Sequence, residues 1–410
     1  MFVAWRDLRF AKGRFALMGT VIVLITVLVG LLSGLTAGLG RENTSALTGL
    51  PVGHLAFAAP AQGADVSFTD SRVQEKTWRA WARVPGVQAA EPLGITTVKA
   101  EAAGDAKAET EAGAGTRAGA GSQAGRGTGA GTEPKDGAGS KDGAGPGPRT
   151  AALSAFGVRP GSGLAPTGTK VADGSAVLSV KAADKLGVRP GDTLTLAGRR
   201  LRAAAISGSA MYSHTPVIWT SLQDWQHLAG SGGPDTATVI ALRTAPGASS
   251  GASGTAALAA ADRKLGTRTV TTEDALKAIG SFTAENGSLQ LMRGFLFAIS
   301  ALVIGAFFTV WTIQRGGDVA VLKALGASTR YLLRDALGQA VLLLVAGTGL
   351  GTAIAASVGA VVGGTVPFVL EPATVLIPAL IMIALGAAGA ALSIRRITSV
   401  DPLTALGSAR

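Results

Sequence analysis

The sequence predicts an α-helical membrane protein: four transmembrane helices, one plus three, with a large α+β extracytoplasmic domain between the first and the second. Three observations predict it. Four long apolar runs are present, read as crossings over about residues 16–38, 293–313, 335–361 and 374–394, with charge only at their edges. A long, mostly polar stretch separates the first run from the other three, which are packed into residues 291–410. Basic residues collect at those span ends that an alternating path would place on one side.

The runs are long enough to span. An α-helix rises about 1.5 Å per residue and the hydrocarbon core is about 30 Å thick, so roughly 20 apolar residues cross it. The third run continues apolar to Leu370, too far for one untilted crossing; Gly363, Gly364 and Pro367 are read as ending that helix, and a short hairpin through Glu371 leads into the fourth. Arg6, Arg9, Lys12 and Arg14 precede the first run, which makes a cleaved signal peptide the rival reading there. Its apolar stretch is much longer than the roughly 7–15 residues of a signal core, and a retained helix is expected.

Orientation follows from flanking cations. Besides the four before the first span, Arg315, Lys323, Arg330 and Arg334 lie between the second and third, and Arg395, Arg396 and Arg410 follow the fourth. The positive-inside rule then puts both termini and the 314–335 loop in the cytoplasm of a bacterial cell, with the protein multi-pass in its plasma membrane and residues 41–290 outside. Much of the net charge of +11 is thereby topology signal, and no nucleic-acid partner is needed to account for it. An excess of Ala, Gly and Arg over Lys suggests GC-rich bacterial coding.

No cysteine is present, which excludes disulfides and thiolate chemistry and restricts any zinc site to His and carboxylates. His54, His214 and His227 are scattered without ligand spacing, so no metal site and no cofactor is expected. Within the outer segment, residues 101–149 form a Gly/Ala-rich insertion with no Val, Leu, Ile, Met or aromatic residue, a composition that cannot offset its ordering entropy and is read as disordered. As a random coil it would span on the order of 40 Å, and because loop closure costs little more as length grows it can interrupt a folded domain. A tether to the wall or a partner, or no function at all, both fit it.

The remainder of the outer segment reads as mixed short strands and few helices. Trp78, Trp81 and Val84 mark a helix over 73–84 that Pro85-Gly86 stops, before a strand over 87–98. A strand over 176–180, a helix over 182–186, a turn at 188–192 and a hairpin of 193–196 with 200–206 through Ala197-Gly198 follow. Strands over 217–220 and 236–242 flank a helix over 222–228. Thr271-Thr272-Glu273-Asp274 has the form of a helix start, and Leu276, Ile279 and Phe282 continue it towards the second span as a stalk. The first helix can extend through Leu39, although Gly38 and Gly40 weaken that end.

Two further patterns carry functional content. The segment 318–326 reads as a short helix between two spans, with Asp318 at its start, Gly326 suited to a left-handed stop, and Ser328 placed to cap the next helix. Such an element is either a docking site or a connector lying on the membrane. Gly30, Gly34 and Gly38 repeat at four-residue intervals in the first span, as do Gly347/Gly351 and Gly359/Gly363 in the third, a spacing that lets helices approach closely within one chain or between two.

The segment from Gln314 to Ala340, with its Asp318-x-x-x-Leu322-Lys323-Ala324-Leu325-Gly326-Ala327 core, resembles the loop after the second span in FtsX-like, MacB-type ABC transporter permeases. The one-plus-three spacing, the start Trp5-Arg6-Asp7-Leu8-Arg9 and the tail from Arg395 to Leu406 agree with it, and Leu186 to Asp192 resembles a recurrent turn of that family's outer domain. One departure is that relatives often carry Glu with basic neighbours where this chain has Gly316-Gly317-Asp318-Val319. The resemblance implies a non-catalytic permease subunit, dimeric with itself or with a related permease. It implies a separate cytoplasmic ATPase of the LolD/FtsE/MacB type that binds the ATP. By position, Arg315, Asp318, Val321, Leu322, Lys323, Leu325, Gly326 and Arg330 would contact that ATPase, with Asp401 and Leu403 to Leu406 supporting the surface.

What the chain lacks agrees with that implication. It has no G-x-x-x-x-G-K-[ST] phosphate loop, and the span interiors hold no acid, His or Ser/Lys pair for proteolysis or proton relay. A secondary transporter would show more spans and broken helices. The alternative is a sensing or regulatory membrane protein with an outer ligand domain for peptides or antibiotics. The substrate, and whether anything is exported, extracted or only moved mechanically, cannot be read from the residues.

Overall fold

The computed structural model describes residues 12–102, 149–230, 233–245, 251–314 and 328–398, together with Gly317, Val321, Leu325 and Gly326. The chain divides into two compact units, residues 1–45 with 279–410, and residues 46–278. Helix α1 (Lys12–Thr48) runs well past the expected end near residue 38. Gly38 and Gly40 do not stop it; the Thr44 hydroxyl donates to the Gly40 carbonyl (2.8 Å) and the helix continues.

The second unit is built on one long strand. Its elements are β1 (His54–Ala58), β2 (Val73–Gln74), α2 (Glu75–Trp81), β3 (Val87–Ala102), β4 (Thr150–Val158), β5 (Ser175–Leu178), α3 (Val180–Leu186), β6 (Thr193–Leu196), β7 (Arg199–Ile206), β8 (Met211–Tyr212), β9 (Thr215–Ser221), α4 (Leu222–Ala229), β10 (Thr236–Ala237), β11 (Val239–Thr244), α5 (Gly251–Leu265), β12 (Thr267–Thr271) and α6 (Thr272–Ala275). The strand order is β12-β1-β11-β3-β4-β9-β5-β7-β6. At 16 residues β3 is long enough to pair with β11 along its first part, with β4 along its second and with β6 at its end. The last pairing closes a ring through β3, β4, β9, β5, β7 and β6, so each of these six strands has a partner on both sides over part of its length.

The insertion hangs from this ring. Residues 103–148 lie outside the described residues; the two residues that flank them are bonded, with the Ala102 N–H donating to the Arg149 carbonyl (3.0 Å). Glu101, expected inside the insertion, is strand and faces Thr150 and Thr195.

Tryptophans fill the space between helices and sheet. Trp78 and Trp81 of α2 are buried, and the Trp81 indole N–H donates to the Thr267 hydroxyl (3.2 Å). Helix α2 is shorter than expected: Val73 and Gln74 pair with Ala237 and Thr236, and the chain turns through Ala82 to Val84 because Pro85 disfavours helix in the residue before it. Trp225 of α4 is 1% exposed and lies across Gly94 and Gly157, which face each other in the β3–β4 ladder. A side chain at either glycine would occupy the space of the ring. Burying an indole of about 200 Å² is worth on the order of 5 kcal/mol, so this bare patch of sheet is a stabilising feature.

Other expectations hold with local adjustments. The 193–206 hairpin turns through Ala197 (φ 43°) and Gly198 (φ 86°), the paired positive dihedrals of a two-residue loop. The strand expected over 236–242 is split in two. Buried Thr238 accepts from the Ile95 N–H (2.8 Å) and donates to its carbonyl (3.2 Å), taking the place of a ladder partner. The expected continuous stalk from Thr272 is also broken: α6 passes into a 3₁₀ turn over Leu276–Ala278, and a new helix, α7 (Phe282–Gln314), starts after Gly280 and Ser281. Glycine disfavours helix interiors, and the Glu285 N–H donates to the Ser281 carbonyl (3.0 Å) as the new helix begins. Thr271 caps α6, and hydrogen bonds from Lys277 and Thr271 hold the Asp274 carboxyl below its usual range.

Helices α8 (Thr329–Val362) and α9 (Pro372–Thr398) complete the first unit. With α1 and α7 they are the four helices long and apolar enough to cross a membrane. Met18, Ile22, Val29, Ile304, Phe308, Trp311, Leu344 and Met382 form their shared core. Replacing Gly157 by valine forces the Trp225 ring out of its seat and should cost about 1–3 kcal/mol or more. Gly53→Ala, at an open position, should stay within about 0.5 kcal/mol; thermal unfolding of the full chain in detergent measures both.

Candidate coupling segment and glycine seam

The segment between α7 and α8 is described at only a few positions. The Leu325 N–H donates to the Val321 carbonyl (3.0 Å), a helical bond, and Gly326 follows at φ 92° in the left-handed region that a glycine favours. The Ser328 hydroxyl accepts from the Tyr331 N–H (3.3 Å) and caps α8. Val321 and Leu325 are 61% and 80% exposed. Four residues apart on one helical turn, they share a face. Most exposed apolar residues of the long helices lie within candidate spans; Tyr331, Val366 and Leu370 lie just outside them, and Val321 and Leu325, more exposed than these three, lie between the second and third, after Gln314 and before Arg334. Arg315, Asp318, Leu322 and Lys323 lie outside the described residues, as do Asp401 and Leu403 to Leu406; Arg330 is in the first turn of α8, with only its backbone described.

The glycine stripes come together within this chain. A Cβ on Gly347 would fall 2.8 Å from Ile22, one on Gly351 2.7 Å from Thr26, and one on Gly30 2.9 Å from Ala355. The paired numbers rise together in steps of four, so α1 and α8 run in the same direction, as two helices joined through the returning α7 must. Farther along, Gly34 and Gly359 both abut the ring of Phe368, and Gly38 abuts the Pro367 carbonyl. Phe368 therefore sits in a slot that two absent side chains leave open. The Val369 N–H donates to the Gly34 carbonyl (3.2 Å), and Arg41 pairs with Glu371 (3.1 Å) at an exposed site.

The sequence reading missed Phe368, which is hidden in an apolar run, and Asn43, which lies beyond the expected end of α1. Asn43 is 2% exposed and donates to the Glu285 carboxylate (3.1 Å) and the Ser281 hydroxyl (3.4 Å). A signal for it existed: Ile22, Thr26, Val29, Ser33, Thr36 and Asn43 are buried at spacings of three, four or seven residues. Among the described residues no group of three His, Asp or Glu is placed to hold a metal ion. Burial pushes the His54 imidazole below its ordinary value and the Tyr212 phenol above its own.

Four apolar helices with a large folded unit between the first and second are the layout of the permease class of ABC transporter subunits. The sequence pattern of the FtsX-like permease C-terminal domain matches residues 291–402, and that of the MacB-like periplasmic core domain matches residues 15–260. The chain belongs to this FtsX-like, MacB-type family of ABC transporter permeases. Over 99% of both chains it is 25% identical to a Staphylococcus haemolyticus protein whose name assigns it to a hemin transport system, permease protein HrtB. A protein of the same name from Staphylococcus epidermidis is 30% identical over 35% of this chain and 41% of its own. An uncharacterized ABC transporter permease of Mycobacterium tuberculosis is 26% identical over 99% of both chains.

Filling the slot tests the seam. Gly34→Ile should expel Phe368 and lower the unfolding midpoint of the detergent-solubilised chain, at a cost of about 1–3 kcal/mol. Gly349→Ile on α8, where nothing lies within 4 Å, should leave the midpoint near that of the unaltered protein.

Proposed function

We propose that this permease subunit carries motion, generated by a separate cytoplasmic ATPase of the LolD/FtsE/MacB type, to its extracytoplasmic unit. The observation that carries the reading is the exposed Val321/Leu325 face, an apolar pair held outside the spans on a helical turn that Gly326 ends. Apolar surface in that position needs a cover, and the basic residues around it in sequence support a cytoplasmic side. The chain has no phosphate loop of its own, so nucleotide belongs to the partner. Arg315, Asp318, Leu322, Lys323 and Arg330 extend the docking surface by their position in the motif. The subunit itself holds no cofactor and performs no chemistry.

Both termini are cytoplasmic in this reading, and the spans sit in the plasma membrane with lipid around them. Two permease subunits, identical or related, are needed to face a two-fold pair of ATPases. The glycine stripes are occupied within this chain by Ile22, Thr26, Ala355, Phe368 and Pro367, which leaves other faces of the bundle for that pairing. Hemin, which appears in the names of the staphylococcal relatives, is the first candidate cargo to test.

Leu325→Arg should lower co-purification of the partner ATPase at least tenfold, a loss of about 1.4 kcal/mol. Since Leu325 is largely exposed, the unfolding midpoint should be unchanged, which separates docking from folding. Undiminished ATPase recovery would contradict the docking assignment. Because the chain has no cysteine, single introduced thiols report topology cleanly. An impermeant maleimide should label Lys185→Cys on intact spheroplasts and Ser328→Cys only after the membrane is opened.

A further inference from the structure

The most unusual polar contact of the membrane unit lies near the outer end of its spans. Asn43 is a fully buried amide on a helix whose buried positions are otherwise small or apolar, and its Nδ2 donates to the carboxylate of Glu285 and the hydroxyl of Ser281. The two acceptors are one helical turn apart. Ser281 stands immediately before α7 and Glu285 lies in its first turn, where a carboxylate also meets the favourable end of the helix dipole. A buried amide in a seam of regularly spaced residues favours one register, because sliding either helix leaves it without its acceptors. Helix α1 is continuous through this point to Thr48, whereas α7 begins here, after the break at Gly280 and Ser281.

We propose that Asn43 is a register latch: its amide, shared by Ser281 and Glu285, locks α1 to the first turn of α7 so that the two helices move as one body during the ATP-driven cycle. The inference rests on the proposed function for what drives the motion, but not for the contact itself. Asn43 acts here as a positioning residue. It touches no substrate, and its loss should separate nucleotide turnover from movement rather than abolish either by unfolding.

The chemistry supplies a rescue. Asn43→Asp sets two carboxylates against each other and breaks the latch; adding Glu285→Gln restores a donor facing an acceptor with the polarity reversed. The test uses the full chain, co-produced with the proposed partner ATPase and reconstituted in lipid, with spin labels on Arg41→Cys and Ser288→Cys. The unaltered latch should give one narrow distance distribution, the same with and without trapped nucleotide. Asn43→Asp should broaden it at least twofold and make it nucleotide-dependent, while ATP turnover and ATPase recovery stay within twofold of the parent; the double variant should return to the narrow distribution. Asn43→Ser, which removes the amide without adding charge, should broaden it as well. A distribution in Asn43→Asp and Asn43→Ser as narrow as the parent's would overturn the proposal, as would failure of Glu285→Gln to restore it. If the parent chain recovers no ATPase, the permease mechanism fails, but the label distances without nucleotide still decide whether the latch exists.

Discussion

The close approach of α1 and α8 is the constraint on which the membrane unit depends. Lipid offers no hydrophobic drive for helices to associate, so packing contact must supply it, and contact is greatest where side chains are smallest. Gly30, Gly347 and Gly351 let neighbouring side chains reach backbone on the opposing helix, while Gly34 and Gly359 let Phe368 enter between them. The hairpin after α8 is thereby tied to α1 by an aromatic wedge, a backbone hydrogen bond and the Arg41–Glu371 pair. The exposed pair is worth little on its own. The wedge, which fills space that no other side chain could share, carries more of the contact.

The outer unit solves a different problem with a similar device. Its long strand β3 joins three partners and closes a ring, and the bare Gly94–Gly157 pair gives Trp225 a flat seat on that sheet. The insertion leaves and re-enters the ring at hydrogen-bonded neighbours, Ala102 and Arg149, so its length costs the fold only a slowly growing loop-closure entropy. A fold anchored in this way tolerates a long polar insertion without disturbing the strand register on either side.

How much of this was legible follows from which forces act locally. The four spans were readable because apolar length is itself the physical requirement for crossing. Ser328 as a cap, Gly326 as a left-handed stop and the Ala197-Gly198 turn were readable because each depends on its own backbone. Strand β4 was not, since Ala, Ser and Gly dominate it and its strand character comes from neighbours on both sides. The break before α7 was missed because Leu276, Ile279 and Phe282 keep helical spacing through it, while Gly280 and Ser281 decide the path. Phe368 was hidden because its partners, Gly34 and Gly359, lie far away in the chain; Asn43 continues the buried spacing of α1, but its acceptors, Ser281 and Glu285, are equally remote. Val321 and Leu325, which the resemblance puts against an ATPase, are exposed in the structure.

In the proposed mechanism, movement passes from a separate cytoplasmic ATPase to the outer unit of this chain. The most direct measurement places an environment-sensitive fluorophore on Lys170→Cys, in the outer unit, and reconstitutes the chain with the proposed partner ATPase in liposomes. Adding ATP on the ATPase side should change the emission, and an ATPase that binds but cannot hydrolyse ATP should halt the change after one step. Emission indifferent to nucleotide while ATP is being turned over, or ATP hydrolysis by this chain without the partner, would contradict it.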